Sequence, residues 1–136
     1  TAEEPEPLQE TVTGVTRVLL ADDHAVIRHG LAEYLGRQPG IEVIAEAGDG
    51  EEAVQLTQRI RPDVILMDVV MPKLSGIEAT RQIKARYPQT RIIGLSMYEE
   101  GEMPAAMYDA GVALYLSKMV DPDSLVAAVL GQAPPD

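Results

Sequence analysis

Five short aliphatic or β-branched runs alternate with segments of helical periodicity along most of this chain. The runs cover residues 16–21, 41–47, 63–67, 91–96 and 112–116. Runs of this length, separated by amphipathic segments, indicate strands joined by crossover helices. The first, third and fourth runs are almost continuously apolar, as in a parallel sheet that helices cover on both faces. The pattern predicts an α/β doubly wound domain with a five-stranded parallel sheet.

Helix start signals fall between these runs. Asp49 and Ser75 each stand three residues before a glutamate, which is the spacing of a capping box. Asp121 is followed by a proline, which suits the first turn of a helix because no amide hydrogen is needed there. These signals predict where the second, third and fifth helices begin.

Pro104 lies inside the fourth helical segment. A proline in a helix interior breaks the helix, whereas one in the first turn does not. The fourth helix is therefore expected to begin near Met103, after an acidic loop over residues 98–102.

Composition limits the function classes that the chain can belong to. Its 136 residues suffice for one domain, and a formal charge of −11 argues against direct binding to the phosphates of nucleic acid. The absence of cysteine excludes disulfides, thiol catalysis and thiolate metal sites. No apolar run approaches the length of about 18 residues that a membrane helix needs. We expect a soluble, cytoplasmic protein with no membrane contact.

The two ends of the chain differ in composition from its body. Residues 1–15 are rich in Glu and Pro and are expected to form a flexible acidic tail. Residues 131–136 are expected to begin a linker because they hold Gly and Pro. The folded domain is then expected to cover residues 16–130.

Three carboxylates follow the ends of two predicted strands. Asp22 and Asp23 come directly after the first strand, and Asp68 comes after the third. Either Asp22 or Asp23 alone would equally suit a helix cap. Asp68 lies between apolar residues, where an ionised carboxylate needs a cation or hydrogen-bond donors. Oxygen ligands clustered at one sheet edge favour Mg²⁺.

Two further polar groups stand at the ends of the fourth and fifth strands. They are Ser96 and Lys118, and each alone would be read as a turn or surface residue. Together with Asp68 and a metal ion they supply a nucleophile, a hydroxyl donor and a fixed cation. Those are the groups that stabilise a phosphoryl group during transfer.

Four sequence blocks carry a resemblance to a known family. They are LLADDH at 19–24, ILMDVVMP at 65–72, LSM at 95–97 and YLSK at 115–118. In wording, order and spacing these blocks resemble the signature of response-regulator receiver domains of two-component signalling. The resemblance covers about residues 16–130. The wording ADDH and LSMYEE is most similar to receivers attached to LuxR-type DNA-binding domains, the NarL/FixJ class.

The resemblance implies a fold and a set of site roles. The fold would be flavodoxin-like, (βα)5, with strand order 2-1-3-4-5. Asp68 would accept a phosphoryl group from a sensor histidine kinase. By the same resemblance, the Mg²⁺ ligands would be Asp23, Asp68 and the backbone carbonyl of Val70, with Asp22 acting through water. Ser96 would hydrogen-bond the phosphoryl group, Lys118 would pair with it, and Tyr115 would change rotamer during the switch.

The resemblance also implies partners and a mode of action. The chain would not be a conventional enzyme, although it would catalyse its own phosphorylation and dephosphorylation at an aspartate. It would form a homodimer on phosphorylation and reach DNA only through an output domain that this sequence lacks. The alternative is an interaction module of the same fold that works without phosphorylation. A haloacid dehalogenase-like hydrolase is disfavoured because Val70 occupies the place of its second aspartate.

Other residues are interpreted as structural. The histidines His24 and His29 could suggest a relay or metal site, but five residues apart on a helix they would not share a face, so surface or capping roles are favoured. Four methionines could form an adaptable partner surface, although filling the core is the favoured interpretation. They are Met97, Met103, Met107 and Met119. In many receivers a proline with a cis bond follows the lysine, and Met119 stands there in this chain.

Overall fold

The computed structural model describes residues 14–97 and 103–132, which form five strands and five helices. In chain order they are β1 Thr16–Ala21, α1 Ala25–Gly36, β2 Ile41–Ala47, α2 Gly50–Ile60, β3 Val64–Asp68, α3 Gly76–Arg86, β4 Arg91–Ser96, α4 Met103–Ala110, β5 Leu114–Ser117 and α5 Pro122–Leu130. The expected tail up to residue 13, the expected loop over 98–102 and positions 133–136 of the expected linker lie outside the described residues.

The strands form one parallel sheet in the order β2-β1-β3-β4-β5, which confirms the predicted topology. The first, second and fourth strands have the predicted bounds. The third strand both begins and ends one residue later than predicted, since its pairing with β4 runs from Val64 to Asp68. The fifth strand begins two residues later than predicted, since the amide of Val112 donates to the carbonyl of Met107 in α4. It ends one residue later, because Ser117 is in register with Ser96 of β4.

The two faces of the sheet are covered by different helices. Leu19, Ile65 and Met67 point towards one face, where they pack with residues of α2, α3 and α4. Leu20 and Leu66 point towards the other face, which α1 and α5 cover. Each buried aliphatic side chain of this kind contributes about 1.5–3 kcal/mol to stability. Burial on both faces explains why the central strands are almost continuously apolar.

Three helices begin at the predicted caps. The side chains of Asp49, Ser75 and Asp121 accept the amide hydrogens of Glu52, Glu78 and Ser124, at 2.8, 3.2 and 3.0 Å respectively. The capping box at α2 differs in one detail, because the Glu52 carboxylate accepts from the amide of Gly48 rather than from that of the cap residue. The first described residue of α4 is Met103. Residues 98–102 lie outside the described part of the chain, so the predicted start of this helix stays a prediction.

The core-filling interpretation of the methionines is wrong for two of those that the structure describes. Met107 is fully buried against the sheet, as expected. Met97 and Met119, however, are 45% and 76% exposed. Each follows the last residues of a strand and therefore lies beyond the edge that the helices cover.

The amino end of α3 lies directly against the end of β3. The amide of Gly76 donates to the carbonyl of Val69 at 2.7 Å, and a Cβ at Gly76 would lie 1.9 Å from the backbone oxygen of Asp68. Only glycine allows this close approach. The position of Asp68 therefore depends on a residue eight positions further along the chain.

Replacing Gly76 by Ala is expected to destabilise the domain, by about 1–3 kcal/mol or more, because backbone atoms must shift to admit the Cβ. Gly30→Ala is a matched control, since Gly30 lies within α1 with open space around it. Alanine there is expected to raise the free energy of unfolding by about 0.5–1 kcal/mol. Urea unfolding of both variants measures the two effects. Equal stability of the Gly76→Ala variant and the parent would contradict the packing described for α3.

Candidate functional site

Three acidic side chains meet at the carboxyl edge of the sheet. Asp68 is the last residue of β3, and Asp22 and Asp23 follow the neighbouring strand β1. Asp22 and Asp68 are buried, at 4% and 6% exposure, whereas Asp23 is exposed. The parallel order of β1 and β3 brings these residues together because both strands end at the same edge.

Lys118 supplies the positive charge of the site. Its Nζ atom lies 2.7 Å from Oδ2 of Asp22 and 3.4 Å from Oδ2 of Asp68. The lysine side chain is only 4% exposed, so all three charges of this cluster are largely removed from water. A buried carboxylate pair of this kind is tolerated only where a cation compensates it.

The backbone around Lys118 fixes the direction of its side chain. Its amide donates to the carbonyl of Ser96 at 2.8 Å, which joins the loop after β5 to the end of β4. The hydroxyl of Ser117 accepts the amide of Met119 at 2.9 Å and tightens the same turn. All peptide bonds of the described residues are trans, including the one before Met119.

Burial raises the pKa of Asp68 to about 6 from an ordinary value of 3.8. The positive charge of Lys118 works in the opposite direction, and the negative charge of Asp22 adds to the effect of burial. Desolvation is therefore stronger than the ion pair at this carboxylate. At neutral pH Asp68 is mostly ionised, but its charge is held at a cost to stability.

Ser96 and Tyr115 occupy neighbouring strands beside the acidic cluster. Ser96 is buried and in register with Ser117, while Tyr115 is half-buried and in register with Gly94. A Cβ at Gly94 would lie 3.0 Å from the Tyr115 ring and 2.9 Å from the Met107 side chain, so glycine makes room for the aromatic ring. Packing between β4, β5 and α4 next to the site therefore requires a glycine at position 94.

Sequence reasoning missed Tyr108. Its hydroxyl accepts the amide hydrogen of Tyr115 at 3.1 Å, so α4 is joined to β5 beside the site. Nothing in the sequence pattern singles out this contact, because Tyr108 reads as an exposed position of a short helix. The loop residue Val70 is 67% exposed and stands two positions after Asp68.

The surface or capping interpretation of His24 leaves out its nearest neighbours, because the structure places its ring against the carboxylates. It is the N-cap residue of α1, but its side chain makes no capping hydrogen bond. Its amide donates to Oδ1 of Asp22 at 2.8 Å, and its Nδ1 atom lies 3.3 Å from Oδ1 of Asp22 and of Asp23. Neither aspartate is therefore the N-cap of this helix.

The cluster has the donor set of a metal site. One ligand atom from each of Asp22, Asp23, His24 and Asp68 can be chosen so that all four atoms lie within 4.8 Å of one another. Three of the four are carboxylate oxygens, the ligands that Mg²⁺ prefers. The donor set fits a divalent cation, whose charge would offset the repulsion between the carboxylates.

Comparisons with known proteins agree on one family. The family described as the response regulator receiver domain matches residues 18–130. The chain is 40% identical to the transcriptional regulatory protein DegU of Brevibacillus brevis over 83% of its length, and 48% identical to LiaR of Bacillus subtilis over 75%. It spans about half the length of these curated relatives, 48% of each.

A solved structure with a similar fold is the signal receiver domain of the response regulator NarL from Mycobacterium tuberculosis. The similarity has a TM-score of 0.82 at 30% identity and covers 86% of this chain and 94% of that one. No helix among residues 14–97 and 103–132 has the length and apolar character needed to cross a membrane.

Asp68→Asn is expected to stabilise the metal-free protein at neutral pH. The rise in pKa from 3.8 to about 6 corresponds to at most about 3 kcal/mol of stability. The parent loses this stability as pH rises through that interval, and the amide variant does not. Below pH 4 the gain should disappear because the parent carboxyl is then protonated. Urea unfolding in the presence of a chelator at the two pH values measures the difference.

The exposed Asp109 on α4 provides a control for that measurement. Asp109→Asn should change the stability by less than about 0.5 kcal/mol at both pH values. A gain for Asp68→Asn that is the same at both pH values, or absent at neutral pH, would contradict the raised pKa.

Proposed function

The chain belongs to the response regulator receiver family, and we propose that Asp68 is the residue that accepts a phosphoryl group from a sensor histidine kinase. The observation that carries this proposal is the ammonium group of Lys118, buried between Asp22 and Asp68 at the edge of the sheet. An interaction module that works without phosphorylation would have no use for so costly an arrangement.

The nucleophile in this proposal is a carboxylate oxygen of Asp68. It attacks the phosphorus of the kinase phosphohistidine, so a P–O bond forms as the P–N bond breaks and the imidazole leaves with the bonding electrons. The reaction needs the ionised carboxylate, and a pKa of about 6 keeps most of it ionised at neutral pH. Gly76 at the start of α3 packs against the backbone of Asp68, and this close packing holds the attacking residue in place.

Asp23, Asp68 and the carbonyl of Val70 would hold Mg²⁺, with Asp22 acting through water. A bound Mg²⁺ neutralises charge that develops on the phosphoryl oxygens. The location of Asp22 and Asp68 beneath the more exposed Asp23 supports this assignment, since an ion can reach the cluster from the solvent side. The loop that carries Val70 is held by the bond from Gly76 to Val69.

Lys118 and Ser96 would bind the oxygens of the transferred phosphoryl group. Lys118 would exchange its contact with Asp68 for one with the phosphoryl oxygen, and the Ser96 hydroxyl would donate to another oxygen. The bond from the Lys118 amide to the Ser96 carbonyl supports a joint movement of the two loops. Tyr115 would follow that movement by a change of rotamer, since it lies on the strand that ends in this loop.

The relatives suggest the role of the whole protein. DegU and LiaR are named as transcriptional regulatory proteins, and the part of this chain that matches them covers 48% of each. We infer a cytoplasmic regulator in which residues 16–130 are the receiver and a DNA-binding output domain carries its effect to transcription. Phosphorylation at Asp68 would change the conformation of the receiver and so control transcription.

Incubation with acetyl phosphate and Mg²⁺ tests the acceptor directly. The parent chain should gain the mass of one phosphoryl group, and the Asp68→Asn variant should gain none because it lacks the nucleophile. Asp109→Asn, an exposed change elsewhere, should be labelled like the parent. Labelling of Asp68→Asn at the parental level, measured by intact mass, would move the acceptor to another residue.

Phosphorylation is expected to promote homodimer formation, because regulators of this class bind paired DNA half-sites as dimers. Sedimentation velocity at several concentrations should show a larger species for the phosphorylated chain than for the resting one. Asp68→Asn treated in the same way should remain at the resting value. A phosphorylated chain that stays monomeric at all concentrations would overturn the dimer proposal.

A further inference from the structure

The imidazole of His24 lies against the proposed metal pocket. Its Nδ1 atom is 3.3 Å from Oδ1 of Asp22 and 3.3 Å from Oδ1 of Asp23. One ring nitrogen of His24 also belongs to the set of four ligand atoms that lie within 4.8 Å of one another. Adjacent ligands of an octahedral ion with bonds of 2.0–2.1 Å lie about 3 Å apart, and opposite ones about 4 Å apart. The spacing around His24 is therefore close to that of a shared coordination shell.

The backbone holds His24 at this place. Its amide donates to Asp22, and its carbonyl accepts the first helical hydrogen bond of α1, from Arg28 at 2.9 Å. The Arg28 guanidinium also donates to the backbone oxygen of Asp22 and to the carboxylate of Glu46. The turn between β1 and α1 is thus anchored on both sides of the histidine, while the ring itself takes no part in capping the helix.

His24 and His29 differ in what they face. His29 is similarly exposed, 64% against 59%, and its Nε2 atom lies 3.4 Å from the single carboxylate of Glu46. His29 is not part of the cluster of possible ligands. The chain therefore contains two histidines at the same end of the molecule, of which one has the neighbours of a metal ligand and the other does not.

We propose that His24 supplies a nitrogen ligand to the metal pocket and thereby sets which divalent ions the pocket prefers. This inference rests on the proposed function, because it uses the same pocket. Mg²⁺ takes oxygen ligands, whereas imidazole suits late first-row ions such as Ni²⁺, Cu²⁺ and Zn²⁺. A pocket of three carboxylates alone would bind Ni²⁺ only moderately more tightly than Mg²⁺. The added imidazole makes that difference large and dependent on His24.

Calorimetric titration of the untagged 136-residue chain with Ni²⁺ alone and with Mg²⁺ alone tests the proposal. The parent should bind Ni²⁺ more tightly than Mg²⁺. His24→Asn should weaken Ni²⁺ binding by at least about 10-fold. Loss of a residue that only hydrogen-bonds a metal ligand already weakens metal binding by about 10-fold or more. Mg²⁺ binding should change by less than about 3-fold because its oxygen ligands remain.

Two controls separate the role of His24 from general effects. His29→Asn removes the other imidazole and should leave both affinities unchanged. His24→Gln, a second substitution without the ring nitrogen, should reproduce the selective loss of Ni²⁺ binding. The exposed position of His24 and the absence of a capping bond from its side chain indicate that both variants fold like the parent.

Asp23→Asn distinguishes failure of this inference from failure of the proposed pocket. It should weaken the binding of both ions, because it removes an oxygen ligand that they share. If it does so and His24→Asn leaves the Ni²⁺ affinity unchanged, the pocket stands and the role of His24 is overturned. If Asp23→Asn leaves Mg²⁺ binding unchanged, the pocket itself is wrong, and the metal part of the proposed function falls with it.

Discussion

The candidate site depends on two ion pairs of Lys118, whose ammonium group is buried between the carboxylates of Asp22 and Asp68. Removing an ion from water costs several kcal/mol, and the ammonium group offsets part of that cost for the two buried carboxylates. The three residues come from the ends of β1, β3 and β5, which the parallel sheet of order 2-1-3-4-5 brings to the same edge. The electrostatics of the site and the topology of the sheet are therefore one constraint.

Lys118 offsets only part of the cost of burying the Asp68 carboxylate, and the function that we propose depends on the remaining cost. Burial outweighs Lys118 in its effect on Asp68, whose pKa is raised to about 6. A nearby divalent cation or a positively charged partner stabilises a carboxylate that is ionised at neutral pH but poorly compensated. Strain of this kind at a reactive group is typical of functional sites, where stability is given up for chemistry.

Packing around the pocket holds the reacting groups on rigid elements and leaves apolar side chains at its rim. Gly76 lets α3 approach the backbone of Asp68, and Gly94 makes room for the ring of Tyr115. Val70 and Met119, by contrast, are 67% and 76% exposed at the loops that follow β3 and β5. Reacting groups on packed strands, with exposed apolar side chains beside them, suit the phosphoryl transfer from another protein that we propose for Asp68.

The sequence alone determined the alternation of strands and helices and the three helix caps, because each is a local property of neighbouring residues. Its motifs also identified the aspartates, Ser96 and Lys118 as candidates for the site. Only the tertiary structure decided how these groups interact, since the distance from Lys118 to Asp68 depends on strand register across the sheet. The sequence likewise did not determine the exposure of Met97 or the contact of His24 with two carboxylates, because both depend on how distant elements pack. Hydrophobic pattern records which face of an element is apolar, whereas burial and charge pairing arise between elements far apart in the chain.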